Sequence, residues 1–336
     1  MSMDSNKTTK HWSRCLLALA IAASGFASAA ANETAQLFSP GVISGAGSNF
    51  APTFSPSSSF VLFSRKSADG ISILLSKRDG SAWLNPVVAP FSGRWTDLET
   101  AMSVDASYIV FASDRPIPGT EQPLRIGAGP NPSGGNLWRI KIMGEKWGEP
   151  EWLPASINKS PSTWTPSIAG NGNLYFMSPD ERTRRFRLRL APMSRGSYQP
   201  TRQLAFSTGE FNDVDPMIDP KERFLIFSSD RAQPGTADAP GPERLYIAFS
   251  PRSPAPIVCP IKIPGWEDPS LSQIEARLGD AGTTLYFASN HPAHAPNGVP
   301  AGAWDDGKAK IWMVPFKSNV SAAEYRSRGD CTRKDT

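Results

Sequence analysis

Apolar and polar positions alternate in short runs along this chain, and the runs form pairs that recur five times. Each pair opens on a polar or acidic residue and passes a proline-like position into a short strand. It then turns and enters an aromatic-rich strand with a Ser-Asp-Arg-like exit. Alternation with a period of two marks strands, because successive side chains point to opposite faces. The first copy runs from Ala51-Pro52-Thr53-Phe54 to Phe60-Val61-Leu62-Phe63, and the second from Glu99-Thr100-Ala101-Met102 to Tyr108-Ile109-Val110-Phe111. The third runs from Thr165-Pro166-Ser167-Ile168 to Leu174-Tyr175-Phe176. The fourth joins Asp215-Pro216-Met217-Ile218 to Phe224-Leu225-Ile226-Phe227, and the fifth joins Glu275-Ala276-Arg277-Leu278 to Leu285-Tyr286-Phe287.

The closing phenylalanines Phe63, Phe111, Phe176, Phe227 and Phe287 are 48, 65, 51 and 60 residues apart. The proline-like position stands 11 residues before its phenylalanine in four copies and 10 in the third. Constant spacing inside variable gaps describes equivalent strand pairs joined by unequal loops, as in propeller blades. A third strand follows each pair, near residues 71–76, 136–142, 186–190, 244–249 and 310–315, and a fourth often follows a Gly/Trp turn such as Lys146-Trp147-Gly148. The expected fold is therefore an all-β propeller of four-stranded antiparallel blades, most simply five. Residues 35–43 are candidates for the outermost strand of the last blade, closing the ring. A sixth, degenerate blade within residues 116–160 or 232–265 stays open as an alternative.

Several of these residues resemble the WD-like repeats of periplasmic TolB-type propellers. The resemblance lies in Trp147-Gly148-Glu149-Pro150 with Leu153-Pro154 and Ile157-Asn158, then Pro166 and Leu174-Tyr175-Phe176. It recurs in Asp213-Val214-Asp215-Pro216 through Ser229-Asp230-Arg231 with Leu245-Tyr246, and spans about residues 45–316. It implies the propeller fold and a binding or scaffold role. The chain departs from that family's usual Ser-Pro-Asp-Gly turn at Ser55-Pro56-Ser57-Ser58, Ser103-Val104-Asp105-Ala106 and Asp219-Pro220-Lys221-Glu222. The α/β domain that TolB carries before its propeller is not expected ahead of Ala51.

Composition agrees with many short strands. The 336 residues include 32 prolines and 27 glycines, a density that long helices do not tolerate. The formal charge is +4, half of it carried by Lys7, Lys10 and Arg14 against Asp4. Those residues precede an apolar stretch at 16–23 and an Ala27-Ser28-Ala29 cleavage pattern. That stretch is too short to span a bilayer of about 30 Å. The expected organisation is a signal peptide at 1–31, cut after Ala29 or Ala31, a propeller at 32–316 and a tail at 317–336. Export to the periplasm or beyond follows, as a monomer with no transmembrane segment in the mature chain. Cys259 and Cys331 then form an even pair in an oxidising compartment, read as a disulfide tying the tail to the last blade.

The small positive charge does not imply nucleic acid, and no nucleic-acid partner is expected. Arg182, Arg184, Arg185, Arg187 and Arg189 alternate with Phe186, Leu188 and Leu190, which describes a strand with a wet basic face. No nucleophile elbow is present, and His291 and His294 fall in the fifth exit loop. Superposing the repeats offers more. The residue before the proline-like position is Ala51, Glu99, Thr165, Asp215 and Glu275, and two residues earlier stand Asn49, Asp97, Thr163, Asp213 and Gln273. Five-fold stacking should gather Glu99, Asp215 and Glu275 at the axis, with Asp97 and Asp213 nearby. Converging carboxylates repel unless a cation or hydrogen bonds stabilise them. Two readings stand side by side: bonds to backbone amides of the neighbouring blade, or a site for a partner's basic group or for Ca2+. Trp95, Trp164, Trp266 and Trp304 fall between strands, and the first three are candidate aromatic anchors. The leading expectation is a non-catalytic scaffold for protein or cell-envelope partners; the alternative is a carbohydrate hydrolase or lyase using the axial carboxylates.

Overall fold

The computed structural model describes residues 34–125, 134–231, 240–300, 302–327 and 331; the expected signal peptide lies outside them. Among the described residues five antiparallel blade sheets follow one another along the chain, with a two-stranded hairpin, Met193–Ser194 and Ser197–Tyr198, between the last two strands of the third. Blade 1 comprises Ser48–Phe54, Phe60–Ser67, Gly70–Asp79 and the outer Val87–Val88. Blade 2 comprises Asp97–Met102, Tyr108–Ser113, Asn136–Met143 and the outer Glu151–Trp152. Blade 3 runs through Trp164–Ile168, Leu174–Pro179, Phe186–Ala191 and Arg202–Gln203, and blade 4 through Asp213–Ile218, Phe224–Ser229, Arg244–Phe249 and Ile257–Pro260. Blade 5 takes three strands from the C-terminal side, Ile274–Gly279, Thr284–Ser289 and Lys310–Pro315. Its fourth is the N-terminal Gln36–Leu37, paired with Met313 and Trp312. The first strands of the five blades touch in a closed circle, blade 1 to 2, 3, 4, 5 and back to 1.

No blade buries both faces alone, so the apolar residues sit between blades. Phe63, Phe111, Phe176, Phe227 and Phe287 are all fully buried. Leu62 and Ile73 meet Ile109, Phe111 and Trp138 across the first seam. Tyr175 and Leu188 meet Leu225 and Phe227 across the third, and Leu245 and Ile247 meet Leu285 and Phe287 across the fourth. Tyr286 and Ile311 meet Val61 and Phe63 where the ring closes. Truncating one such phenylalanine to alanine costs about 3–5 kcal/mol. The shorter spacing of the third copy falls in its turn. Ile168 and Leu174 pair across five residues there, where Ile218 and Leu225 pair across six.

Two expectations change, and the sixth-blade alternative is set aside. The five-blade expectation holds: the described residues of 116–160 and 232–265 include the third and outer strands of blades 2 and 4 and no sixth blade. The closing strand shortens to two residues, since residues beyond Leu37 turn at Ser39 and Gly41. Cys259 and Cys331 are joined in a disulfide, but Cys259 lies on the outer strand of blade 4, not on the last blade. After blade 5 the tail crosses back, with the short helix Ala322–Ser327 packing Tyr325 against Phe249. Arg115 and Arg231 pair within their own blades, with Asp97 at 2.6 Å and Asp213 at 2.5 Å. The turn aspartates Asp114 and Asp230 accept the backbone amides of Thr96 and Asn212.

Candidate functional site at the axial mouth

In every blade the first strand slips register against the second at one place. The slips lie between Phe50 and Thr53, Leu98 and Ala101, Trp164 and Ser167, Val214 and Met217, and Ile274 and Arg277. Each contains one non-glycine residue in left-handed backbone: Ala51 (φ 48°), Glu99 (φ 56°), Thr165 (φ 44°), Asp215 (φ 54°) and Glu275 (φ 54°). Such a conformation costs roughly 1–2 kcal/mol, and a bulge re-aims the side chain it carries. These are the five positions that the repeat superposition singles out.

The bulges are linked around the ring. The Glu99 amide donates to Ser64 Oγ of blade 1 at 2.9 Å. The Thr165 amide donates to Glu99 Oε2 at 2.7 Å, and Thr165 Oγ1 donates to Asp215 Oδ1 at 3.1 Å. The Glu275 amide donates to Asp215 Oδ2 at 3.2 Å, and Glu275 accepts the Ala51 amide. Each seam is thus crossed by a hydrogen bond next to the axis. The carboxylates hold the ring, and they also converge: Glu99, Asp215 and Glu275 offer oxygens all within 4.8 Å of one another.

All three are buried, at 5–6% exposure. Burial pushes the Glu99 carboxyl up to about 7, and the Asp215 charge adds to the effect. Burial raises Asp215 to about 6 against the pull of Arg277. It raises Glu275 well above the usual carboxylate range, with Asp215 and Glu99 contributing. Arg277, buried two residues after Glu275, acts on all three carboxylates. Its Nη1 donates to Ala276 O, while its Nε and Nη2, and Glu275 Oε2, have no hydrogen-bond partner among the described residues. The sequence signal for Arg277 was a charge at a repeat position otherwise held by Thr53, Ala101, Ser167 and Met217. Oxygens this close can share one Ca2+, whose bonds are about 2.3–2.6 Å.

Asp97 and Asp213 do not join the cluster. Each is fully buried against its own arginine and accepts a serine hydroxyl, Ser113 Oγ at 2.6 Å or Ser229 Oγ at 2.7 Å. The left-handed bulge breaks the two-residue alternation that would have put them on the same side as Glu99 and Asp215.

Above Glu99 opens a cleft of about 630 Å³ between blades 1, 2 and 3, walled by Ile71, Leu98, Trp164 and Phe186, with Arg184 also lining it. Trp164 does not lie in a loop as expected; it opens the first strand of blade 3, half-buried. Its indole is held in place. Nε1 donates to Ser162 Oγ at 2.7 Å, and the ring lies against Gly135, where a Cβ would stand 2.4 Å from it. Gly135 exchanges backbone bonds of 2.8 Å with Pro161 and Thr163, so blade 2 seats the aromatic of blade 3. Trp95 is half-buried beneath the Arg94 guanidinium, 5.0 Å from its ring. Trp266 is no surface anchor. It is 7% exposed and packs against Phe287, His291 and Trp312. Glu99, Asp215 and Glu275 form the single group of three or more metal-ligating side chains found among the described residues, so His291 and His294 build no such set there.

No family model and no curated protein matches the sequence. Solved structures are similar at low identity. A putative TolB from Agrobacterium tumefaciens is 13% identical, with 80% of this chain and 90% of that chain covered at a TM-score of 0.48. TolB from Acinetobacter baumannii is 10% identical, covering 80% and 54% at 0.45. An α-L-arabinofuranosidase from Lactobacillus brevis is 11% identical, covering 84% and 94% at 0.49.

Proposed function

We propose that this protein is an exported, non-catalytic binding module that holds an extended segment of a protein or cell-envelope partner in the axial cleft. The observation that carries the proposal is that the fixed Trp164 ring and Glu99 line one cleft large enough for a few side chains. Ligand sites combine an apolar wall with few, well-placed polar groups, and an aromatic ring already locked loses little entropy on binding. The resemblance of the repeats to TolB-type propellers supports the same reading. Export is supported by the basic and apolar leader and by the Cys259–Cys331 disulfide, since disulfides persist in oxidising compartments.

The alternative, a carbohydrate hydrolase or lyase, draws support from Glu99, whose carboxyl near 7 suits a general acid. Against it, Asp215 and Glu275 do not line the cleft and accept backbone amides of the next blade. Incubation with oligosaccharides is expected to release no product.

A photo-crosslinking amino acid at Phe186 tests the binding reading, with the same group at Val104, on an exposed turn outside the cleft, as control. Crosslinks to a discrete partner are expected from position 186 and not from 104, and Trp164→Ala should abolish them. Equal crosslinking from both positions would reject the cleft as the binding surface.

A further inference from the structure

We infer that the cleft recognises a basic side chain, lysyl or arginyl, of an extended peptide, seating its cationic head between the Trp164 ring and the Glu99 carboxyl. The inference rests on the proposed reading that the cleft holds a partner segment, and specifies what that segment carries. Charge complementarity is the first argument. Three carboxyls converge at the axis against one guanidinium, Arg277, and Glu275 Oε2 is buried with no donor. Of the three, Glu99 also lines the cleft, so a cation seated there would favour its charged form and be held by it. A second anion beside these carboxyls would raise them further and gain nothing.

Shape is the second argument. Ile71, Leu98 and Phe186 line an apolar cleft that suits the methylene stem of lysine or arginine, which buries readily while its head seeks a polar partner. The indole of Trp164, held by Ser162, lines the same cleft, where it can take that head in a cation–π contact. At the exposed end of the cleft, Arg184 carries no ion pair among the described residues. Its charge is screened by water and favours an acidic neighbour beside the basic residue rather than opposing the deeper cation.

The test uses the full chain and dye-labelled hexapeptides that differ at one central position, with leucines on either side, read by fluorescence anisotropy in EDTA. The lysine peptide is expected to bind at least tenfold more tightly than its Nε-acetyl-lysine, norleucine and glutamate counterparts. Glu99→Gln keeps an acceptor for the Thr165 amide and should remove that preference. Trp164→Phe leaves the ring of carboxyls untouched, and should weaken the lysine peptide more than the norleucine peptide, so the inference does not depend on one variant folding. If acetyl-lysine or norleucine binds as well as lysine, recognition of a cation is wrong while the cleft still binds peptide. If no peptide binds, both the inference and the binding reading fall.

Discussion

Ser58, Ala106 and Glu222 occupy the same corner of blades 1, 2 and 4 with φ of 53°, 56° and 56°. Glycine adopts this backbone freely and other residues do so under strain. At Ala106 nothing offsets that strain, so Ala106→Gly should stabilise the protein by up to about 1 kcal/mol. Glu222 differs, because its carboxylate accepts bonds from Tyr175, Asn173, Asn171 and Arg252. Glu222→Gly should therefore destabilise by about 2 kcal/mol, at roughly 1 kcal/mol per net bond lost and some strain relieved. Urea midpoints at unchanged slope would measure both. The axial carboxyls give a second prediction. Their folded pKa values, about 7 for Glu99 and about 6 for Asp215, lie above the ordinary 4.5 and 3.8. Between those limits the folded state binds more protons than the unfolded one. The extra stability is thus complete below about pH 4 and is lost as pH rises to about 7. Thermal midpoints of the parent protein should fall relative to those of Glu99→Gln between pH 5 and 8. An equal pH dependence of the two would count against a buried Glu99.

At the scale of strands, the repeat was legible because strand length and spacing are local. Residues 10 or 11 before each phenylalanine fall on the bulges without knowledge of the fold, and this is why Glu99, Asp215 and Glu275 emerged together. What joins one blade to the next was not legible. The bond from the Thr165 amide to Glu99 spans 66 residues, and the link from Gly135 to Pro161 depends on how two blades are rotated. Trp164 shows the same limit. Sequence placed it between strands, whereas pairing with Met177 puts it at the head of one. Gly135→Ala should displace the indole, since the added carbon would meet the ring at 2.4 Å. Partner crosslinking from the cleft should then fall at least tenfold, with far-ultraviolet circular dichroism unchanged.

For the whole molecule, the segments that flank the blades at either end are both tied to the propeller. Gln36–Leu37 completes blade 5 from the N-terminal side. The tail then crosses from blade 5 to blade 4 and is fixed there by the Cys259–Cys331 disulfide, 72 residues apart in sequence. A cross-link closing a loop of that length contributes about 4 kcal/mol in the chain-entropy account. Cys331→Ser should lower the urea midpoint accordingly, and dithiothreitol should act on the parent and not on the variant. The pairing with blade 4 rather than blade 5 was hidden from sequence, because the tail's path depends on where the last strand ends. The central claim is that five bulges bring three carboxyls into one buried axial cluster with Glu99 beside the cleft. The most direct measurement is a ¹³C NMR pH titration of the Glu99 carboxyl, assigned by its loss in Glu99→Gln. The account predicts a midpoint near 7 that moves down in Asp215→Asn, as a neighbouring negative charge is removed. A midpoint near 4.5, indifferent to Asp215, would contradict it.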